Sequence, residues 1–362
     1  VFAIFSKINN GKIYMKNKRI LITGGAGFFG SILVNNLLKL GHQVVCFDLN
    51  KNSIIHENLI SIIGDIRNED QVFEACKDID IVHHNVAQVP IAKDKELFDS
   101  VNIGGAEVLS QQIKRTGVKS IVYTSSSAVF GVPSYNPVTS QTKPSPAEEY
   151  GRAKYNAEKI FNDLCKEGIN VSIIRPRTIL GTGRLGIFQI LFEWIYQGKN
   201  IPVLGKGENI YQFVHAQDLA TACIAAGEVE GCNTYNIGAK KFSSMKETLE
   251  AVIKHAKSNS RVVGVNKKIA QFGMNITSFL GLSPLGPYHS LMYGESMYFD
   301  VSEAEKDLRY SPVFSNSEMF IDSYDWYVKN REDILSGELH GSGHQSKIRQ
   351  GILSLTPYLL RW

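Results

Sequence analysis

The sequence predicts an α/β protein built on a Rossmann-like, doubly wound parallel sheet of about seven strands, with a smaller C-terminal substrate lobe. Short apolar, β-branched segments alternate with longer helical patterns through the first two thirds of the chain. This alternation is typical of strands that are buried on both faces of a parallel sheet. A glycine-rich turn also joins the first predicted strand to the first predicted helix, which is where doubly wound folds bind dinucleotides.

The predicted strands occupy residues 19–24, 43–48, 59–65, 81–86, 120–126, 171–176 and 233–238. Two of the intervening helices have clear ends. The pattern from Ser31 to Leu40 stops at Gly41, and the pattern from Gly105 to Thr116 stops at Gly117. Glycine is the usual residue just beyond a helix because it adopts the left-handed conformation easily.

The order of the elements predicts the domain organisation. The Rossmann domain covers residues 18–178, and residues 211–238 return to it. Residues 179–210 and 239–330 form the substrate lobe over the carboxyl edge of the sheet, where open α/β sheets bind ligands. We interpret residues 1–17 as a leader or a remnant of expression. Residues 331–362 are interpreted as a tail that docks on the body, on a partner subunit or on a membrane surface, or is disordered, with docking or disorder favoured over membrane binding.

The composition excludes several classes of protein. The net charge of +4 is small and no dense Lys/Arg segment occurs, so nucleic acid is not an expected partner. No window approaches the roughly 20 apolar residues of a membrane span, and membrane association is not expected. The cysteines contain no Cys-x-x-Cys pair, which argues against a disulfide framework or a zinc site and favours a cytoplasmic location; they are Cys46, Cys76, Cys165, Cys223 and Cys232.

The segment TGGAGFFG (23–30) has the features of a dinucleotide-binding turn. Gly24 permits the tight turn, Gly27 allows a diphosphate to approach the backbone, and Gly30 allows close packing of helix and strand. Asp48 ends the second strand, 18 residues beyond Gly30. A carboxylate there binds ribose hydroxyls and repels a 2′-phosphate, so NAD is favoured over NADP. The alternative is that Asp48 only caps a strand end.

The segment GDI (64–66) follows the third strand. Its residues Asp65 and Ile66 are candidates for the adenine side of the cofactor pocket. The alternative for Asp65 is a turn-forming role without ligand contact.

Tyr150 and Lys154 are one helical turn apart in YGRAK and follow the strand that ends in TSSSAVFG (124–131). Residues at positions i and i+4 share a helix face, so the spacing alone fits either a proton relay or two surface side chains. At the carboxyl end of the sheet the pair would face the nicotinamide of a bound cofactor. A nearby ammonium favours the phenolate form of a tyrosine, whose ordinary pKa is about 10.

The chain resembles the extended short-chain dehydrogenase/reductases, in the NAD-dependent epimerase/dehydratase and 3β-hydroxysteroid dehydrogenase branches. The resemblance extends from Arg19 to Asp218 and more loosely to Pro312. It depends on eight motifs in order: TGGAGFFG, GDI, HHNVAQV, VNIGGAEVL, TSSSAVFG, YGRAK, RPRTILG and FVHAQDLA.

The resemblance implies a role for each matching residue. Tyr150 would be the catalytic acid/base, Lys154 would lower its pKa and bind the nicotinamide ribose, and Ser126 would hydrogen-bond the reacting oxygen. The backbone amides of Phe28 and Phe29 would contact the diphosphate. Further cofactor-lining residues would be Val86, Ala87, Asn102, Ser125 and Pro176.

The sequence also departs from the family pattern. Nucleotide-sugar members hold the substrate diphosphate with an Asn and an Arg at positions where this chain has Thr178 and Tyr211. Arg177 and Arg184 are possible replacements. Ser127 and Ala128 stand where sugar dehydratases have an Asp-Glu pair, so dehydration is disfavoured. The apolar residues between 269 and 298 would suit either a hydrophobic substrate or the core of the lobe.

No metal site is expected. His83 and His84 lie in a predicted buried strand without a third ligand. His215 is interpreted as a packing residue or as one that supports the site residues from behind. No Gly-x-Ser-x-Gly segment occurs, which argues against a serine hydrolase.

These observations predict an NAD-dependent epimerase or oxidoreductase that transfers hydride at a secondary alcohol or ketone of a nucleotide-sugar substrate. The alternative is a 3β-hydroxysteroid-dehydrogenase-like enzyme acting on an apolar alcohol. A third possibility is a nucleotide-binding protein without turnover, although such a protein has no need for Ser126, Tyr150 and Lys154 together. A homodimer is expected by analogy with the family alone.

Overall fold

The computed structural model describes residues 17–88, 95–184, 186, 188–268, 270 and 294–336. The proposed leader therefore lies outside the described residues except for residue 17, and the tail is described only for residues 331–336. Most of the apolar segment at 269–298 is also outside this range.

Seven parallel strands form the central sheet, as the sequence predicts. In spatial order they run β3, β2, β1, β4, β5, β6 and β10. Their bounds are β1 (Arg19–Thr23), β2 (Gln43–Asp48), β3 (Leu59–Ile63), β4 (Ile81–His84), β5 (Ser120–Thr124), β6 (Asn170–Pro176) and β10 (Cys232–Ile237). The order reverses between β1 and β4, so the carboxyl ends of these two strands flank the crevice where doubly wound sheets bind ligands.

Helices cover both faces of the sheet and continue into the C-terminal part. They are α1 (Phe28–Lys39), α2 (Glu69–Ala75), α3 (Lys95–Asp99), α4 (Gly105–Thr116), α5 (Glu149–Leu164), α6 (Phe188–Tyr196), α7 (Ala216–Ala226), α8 (Met245–His255), α9 (Ser302–Asp307), α10 (Asn316–Lys329) and α11 (Arg331–Ser336). Helix α4 has the predicted bounds, and Gly117 beyond it is left-handed with φ of 76°. Helix α1 begins three residues before the predicted Ser31 because Gly27 is its N-cap.

Two apolar cores lie on the two faces of the sheet, and a third lies outside it. The third core combines α6, α8 and α10 with two short parallel pairs, β7 (Thr178–Leu180) with β9 (Phe213–His215) and β8 (Ile201–Leu204) with β11 (Val262–Val265). Phe192, Phe213 and Phe320 are fully buried there. On this basis we propose the same division into a Rossmann domain and a substrate lobe.

The structure contains one feature that the cysteine pattern did not predict. Cys165, in the 3₁₀ turn after α5, forms a disulfide with Cys232 at the start of β10, with a Cα to Cα distance of 6.1 Å. The two residues are 67 positions apart, and only the pairing of β6 with β10 brings them together. The expectation of a reducing compartment relied on unpaired cysteines, and this bond removes that support.

The described helices include none that combines the length and apolar character needed to cross a bilayer. Within the same residues, no three His, Cys, Asp or Glu side chains are grouped as a metal site. His83 and His84 are fully buried in β4, and burial lowers the pKa of each to about 3. Both rings are therefore neutral, and His84 Nδ1 shares a 2.7 Å hydrogen bond with Thr23 Oγ1.

Candidate active site

The glycine-rich turn has the geometry that a dinucleotide diphosphate requires. Gly24 is left-handed with φ of +72°, and a Cβ there would lie 3.0 Å from the backbone nitrogen of Val86. At Gly30 a Cβ would collide with the carbonyl of Gly24. Helix α1 begins beside this turn without a side-chain cap, so the amides of its first turn can bind an anion. The residues present therefore fit NAD.

A cleft of about 530 Å³ runs from this turn along the carboxyl edge of the sheet to helix α5. Most of the predicted site residues line it. They are Gly24, Gly27, Phe28, Phe29, Gly30, Asp48, Asp65, Ile66, Val86, Ala87, Ser125, Tyr150 and Lys154.

Three predicted residues do not line the cleft. Asn102 is buried behind it and holds the backbone of Gln88, accepting from its amide at 2.8 Å and donating to its carbonyl at 3.2 Å. Pro176 is buried at the end of β6, paired in register with Ile237. Ser126 is not among the lining residues, but it acts on the site by lowering the pKa of Tyr150.

Asp48 and Asp65, the two acidic residues that line the cleft, have different hydrogen-bond partners. Asp48 accepts from the backbone amides of Ala26 at 3.1 Å and Asn50 at 2.9 Å, which fixes the end of β2 against the glycine turn. Asp65 forms a fork with the guanidinium of Arg67, with bonds of 2.9 and 2.6 Å. That hydrogen bonding holds the pKa of Asp65 below its usual value. Arg67 also lines the cleft, although no sequence motif indicated it.

The start of α5 directs Tyr150 into the cleft. Glu148 caps this helix and accepts from the amides of Tyr150 and Gly151, each at 2.7 Å. The Ser126 hydroxyl accepts from the amide of Ala128 at 3.1 Å and lies close enough to the phenol of Tyr150 to lower its pKa. One turn later, Lys154 is 2% exposed; its Nζ donates to the Thr124 carbonyl at 2.6 Å and lies 4.3 Å from the ring centre of Tyr123.

Burial is the main influence on the pKa of both side chains. It raises the pKa of Tyr150, whereas the Ser126 hydrogen bond and the charge of Arg184 lower it. Burial also lowers the pKa of Lys154 to about 7, although the Glu158 carboxylate opposes this shift. The resemblance assigned the lowering of the Tyr150 pKa to Lys154. In the structure, Ser126 and Arg184 are the groups that act in that direction.

A buried network behind the cleft was not predicted. Glu158 accepts from the Ser125 hydroxyl at 2.5 Å and forms a two-bond ion pair with Arg175 at 2.9 and 2.6 Å. Lys154 and Glu158 are four positions apart on one face of α5. This spacing was the one signal in the sequence that could have indicated the role of Glu158 behind the cleft. The network orders Ser125 and the end of β5, next to Ser126.

The two departures from the nucleotide-sugar pattern contact each other. Thr178 Oγ1 and the Tyr211 hydroxyl are 3.2 Å apart, and Tyr211 is 1% exposed. Arg177 is also buried; it donates to Ser127 Oγ at 3.0 Å and to the Gln212 carbonyl at 3.1 Å, and its guanidinium lies 4.4 Å from the centre of the Tyr211 ring. Arg177 is therefore a packing residue here.

Arg184 is the other candidate replacement, and it does line the cleft. Its guanidinium carbon lies 5.4 Å from the centre of the Phe28 ring. His215 stays outside the cleft lining and stacks on Phe314 at 3.7 Å between ring centres, as expected for a packing residue.

A second depression of about 640 Å³ lies on the substrate lobe, bordered by residues of α6, α8 and α10. It contains none of the predicted site residues. The first cleft combines the anion-binding turn with Tyr150 and Lys154, and we therefore assign the chemistry to the first cleft.

Comparison with known proteins identifies the family of the chain. The model of the NAD-dependent epimerase/dehydratase family matches residues 20–238. The chain is 52% identical over 345 residues to the uncharacterized protein y4nG of Sinorhizobium fredii, covering 95% of this chain and 87% of that protein. It is 30% identical over 276 residues to UDP-glucose 4-epimerase of Neisseria meningitidis serogroup C, covering 65% of this chain and 81% of the relative.

A more distant relative is the 3-beta-hydroxysteroid dehydrogenase of Mycolicibacterium neoaurum, with 27% identity over 342 residues, 86% of this chain and 91% of the relative. Among solved structures, UDP-glucose 4-epimerase of Thermotoga maritima with UDP-glucose superimposes on this chain with a TM-score of 0.72 at 22% sequence identity. The superposition covers 86% of this chain and 99% of the epimerase chain. The fold, the dinucleotide turn and the family match agree: the chain is an enzyme of the NAD-dependent epimerase/dehydratase family, and NAD is its cofactor.

Proposed function

We propose that the enzyme is an epimerase that oxidises and re-reduces a secondary alcohol of a nucleotide-sugar substrate. One observation carries the proposal: Tyr150 and buried Lys154 line the same cleft as the anion-binding turn, and Ser126 lies close enough to Tyr150 to lower the pKa of its phenol. The similarity to UDP-glucose 4-epimerases supports a nucleotide-linked sugar.

Tyr150 moves the proton in this mechanism. Its phenolate oxygen accepts the proton of the substrate hydroxyl, and the Ser126 hydroxyl holds the same oxygen in place. NAD, when bound, supplies the acceptor for the hydride that leaves the carbon. In the return step Tyr150 gives the proton back to the ketone oxygen, after the sugar has presented its other face.

The remaining side chains set the charge around that proton. Lys154 is held beneath the site by the carbonyl of Thr124, from where its ammonium can bind a ribose hydroxyl of the cofactor. The positive charge of Arg184 favours the phenolate of Tyr150. Because burial raises the pKa of Tyr150, a cationic cleft is needed for the phenol to act as a base near neutral pH.

A specific observation keeps a second candidate open. Tyr211 is buried and bonded to Thr178, so neither position offers a charged group to a substrate diphosphate. This favours a net oxidoreductase acting on an apolar alcohol, as the 3-beta-hydroxysteroid dehydrogenase relative suggests.

Product analysis separates the two candidates. The purified enzyme is incubated with UDP-glucose, UDP-galactose or their N-acetylated forms, and the sugars are separated while reduced nicotinamide is followed by its absorbance. An epimerase interconverts two sugars without net reduced cofactor. Stoichiometric accumulation of reduced cofactor with a keto product would replace the proposal with the dehydrogenase.

A further inference from the structure

Arg184 is a cation that lines the cleft beside the phenol of Tyr150. Among the residues that the structure describes, no carboxylate lies within ion-pair distance of its guanidinium. The acids that line the cleft have other partners: Asp48 accepts from backbone amides, and Asp65 pairs with Arg67. Arg184 is half-buried, and a partly desolvated guanidinium without a carboxylate partner is stabilised when it pairs with an anionic ligand.

The position of Arg184 places such a ligand near the reaction. Its guanidinium covers the ring of Phe28, the first residue of α1, and its charge acts on the phenol of Tyr150. The side chain therefore extends over the part of the cleft between the diphosphate turn and the acid/base residue. Burial lowers the pKa of Arg184 to about 10, so it stays charged at neutral pH.

A hydrogen bond to helix α10 of the substrate lobe holds the loop that carries Arg184. The amide of Arg184 donates to the Gly181 carbonyl at 2.9 Å, closing a tight turn. Thr182 in that turn donates its hydroxyl to Asp322 of α10 at 2.7 Å. These two contacts hold the backbone of the turn from which the Arg184 side chain extends.

We propose that Arg184 binds a carboxylate that the substrate carries close to its reacting carbon. The proposal rests on the proposed function, because it takes Tyr150 as the group at the reacting carbon. A planar guanidinium suits this task since it offers two parallel N–H bonds to a carboxylate or phosphate. The cofactor diphosphate is the other anion within this part of the cleft, and the test separates the two.

The test measures the affinity of the NAD-loaded enzyme for UDP-glucose and UDP-glucuronic acid by calorimetry, and the affinity of cofactor-stripped enzyme for NAD. The variants are Arg184→Gln, Arg184→Lys and Thr182→Val. We expect the wild type to prefer the uronate by about 10- to 100-fold. Arg184→Gln should abolish this preference while leaving the UDP-glucose and NAD affinities within about threefold. Arg184→Lys and Thr182→Val should give intermediate values.

Three results would overturn the proposal. They are a wild type with no preference for the uronate, an Arg184→Gln variant that keeps the preference, and a variant whose main loss is NAD affinity, which would assign Arg184 to the cofactor. These are binding measurements, so they do not depend on turnover. Failure of the proposed function is read separately from the product analysis.

Discussion

Helix α5 carries two Tyr-x-x-x-Lys pairs, Tyr150 with Lys154 and Tyr155 with Lys159, and the structure treats them differently. Tyr150 lines the cleft and Lys154 is 2% exposed. Tyr155 instead packs against an apolar core, while Lys159 is exposed with its Nζ 4.4 Å from the ring centre of Tyr155. Five residues correspond to a rotation of about 140° around a helix.

The difference shows that spacing is not what makes a tyrosine a candidate catalyst. Both pairs share the same residue types and separation. Only the first meets Ser126, the positive charge of Arg184 and the anion-binding turn. We therefore infer that the surroundings select Tyr150, and this inference can be tested by making matched changes at the two pairs.

The largest effect is expected for Tyr150→Phe against Tyr155→Phe. Loss of the proton-transferring hydroxyl should lower kcat by about 10³-fold, within the range for general acid/base groups. Tyr155→Phe should change kcat less than about threefold. Steady-state kinetics with bound NAD quantified by extraction provides the comparison. Equal losses in the two variants would remove the proposed role of Tyr150.

The next contrast concerns two glutamates of the same helix. Glu158→Gln leaves the buried guanidinium of Arg175 without its charge partner and should lower the free energy of unfolding by about 3 kcal/mol. The Glu149 side chain is 43% exposed, and its carboxylate lies 3.6 Å from the guanidinium of Arg152. Glu149→Gln should therefore lower the free energy of unfolding by less than about 0.5 kcal/mol. Urea denaturation of both variants measures the difference. Similar stabilities would mean that the Glu158–Arg175 pair contributes little to the fold.

The two lysines should differ in their dependence on pH. The pKa of Lys154 is about 7 in the folded protein and 10.5 ordinarily. Below pH 7 the folded protein buries the charged ammonium of Lys154, which lowers the free energy of unfolding. Between about pH 7 and 10.5, Lys154 is neutral in the folded protein and charged in the unfolded chain. The free energy of unfolding therefore increases as the pH rises through this range.

Lys154→Met should therefore stabilise the cofactor-stripped protein by about 1–2 kcal/mol at pH 6, and this gain should vanish by about pH 10. Lys159→Met should have no such pH dependence, since Lys159 is exposed. Denaturant unfolding across this pH range is the measurement. A gain that does not vary with pH would show that lost charge burial is not its cause.

The smallest effect is expected for the two aspartates that line the cleft, Asp48 and Asp65. Asp48→Asn should reduce the preference for NAD over NADP by about tenfold, because the charge that repels a 2′-phosphate is removed. Asp65→Asn should leave this preference unchanged, since Asp65 is paired with Arg67. Affinities for both cofactors can be measured by fluorescence titration. An unchanged ratio in Asp48→Asn would favour the strand-end role for this residue.

The sequence by itself determined the parallel sheet, its seven strands and the dinucleotide turn. These features depend on local signals: continuous apolar segments, glycines at fixed offsets, and helix ends such as Gly117. The motifs also indicated most of the cleft lining, from Gly24 to Lys154, because the carboxyl ends of parallel strands meet at one edge of a sheet.

Only the tertiary structure decided how the charges are arranged. It buried Arg177 among aromatic rings and directed Arg184 into the cleft, although both are arginines of one short segment. It also paired Glu158 with Arg175 and joined Cys165 to Cys232. Contacts of this kind join residues that are distant in the chain, and their strength depends on burial, which a linear pattern does not contain.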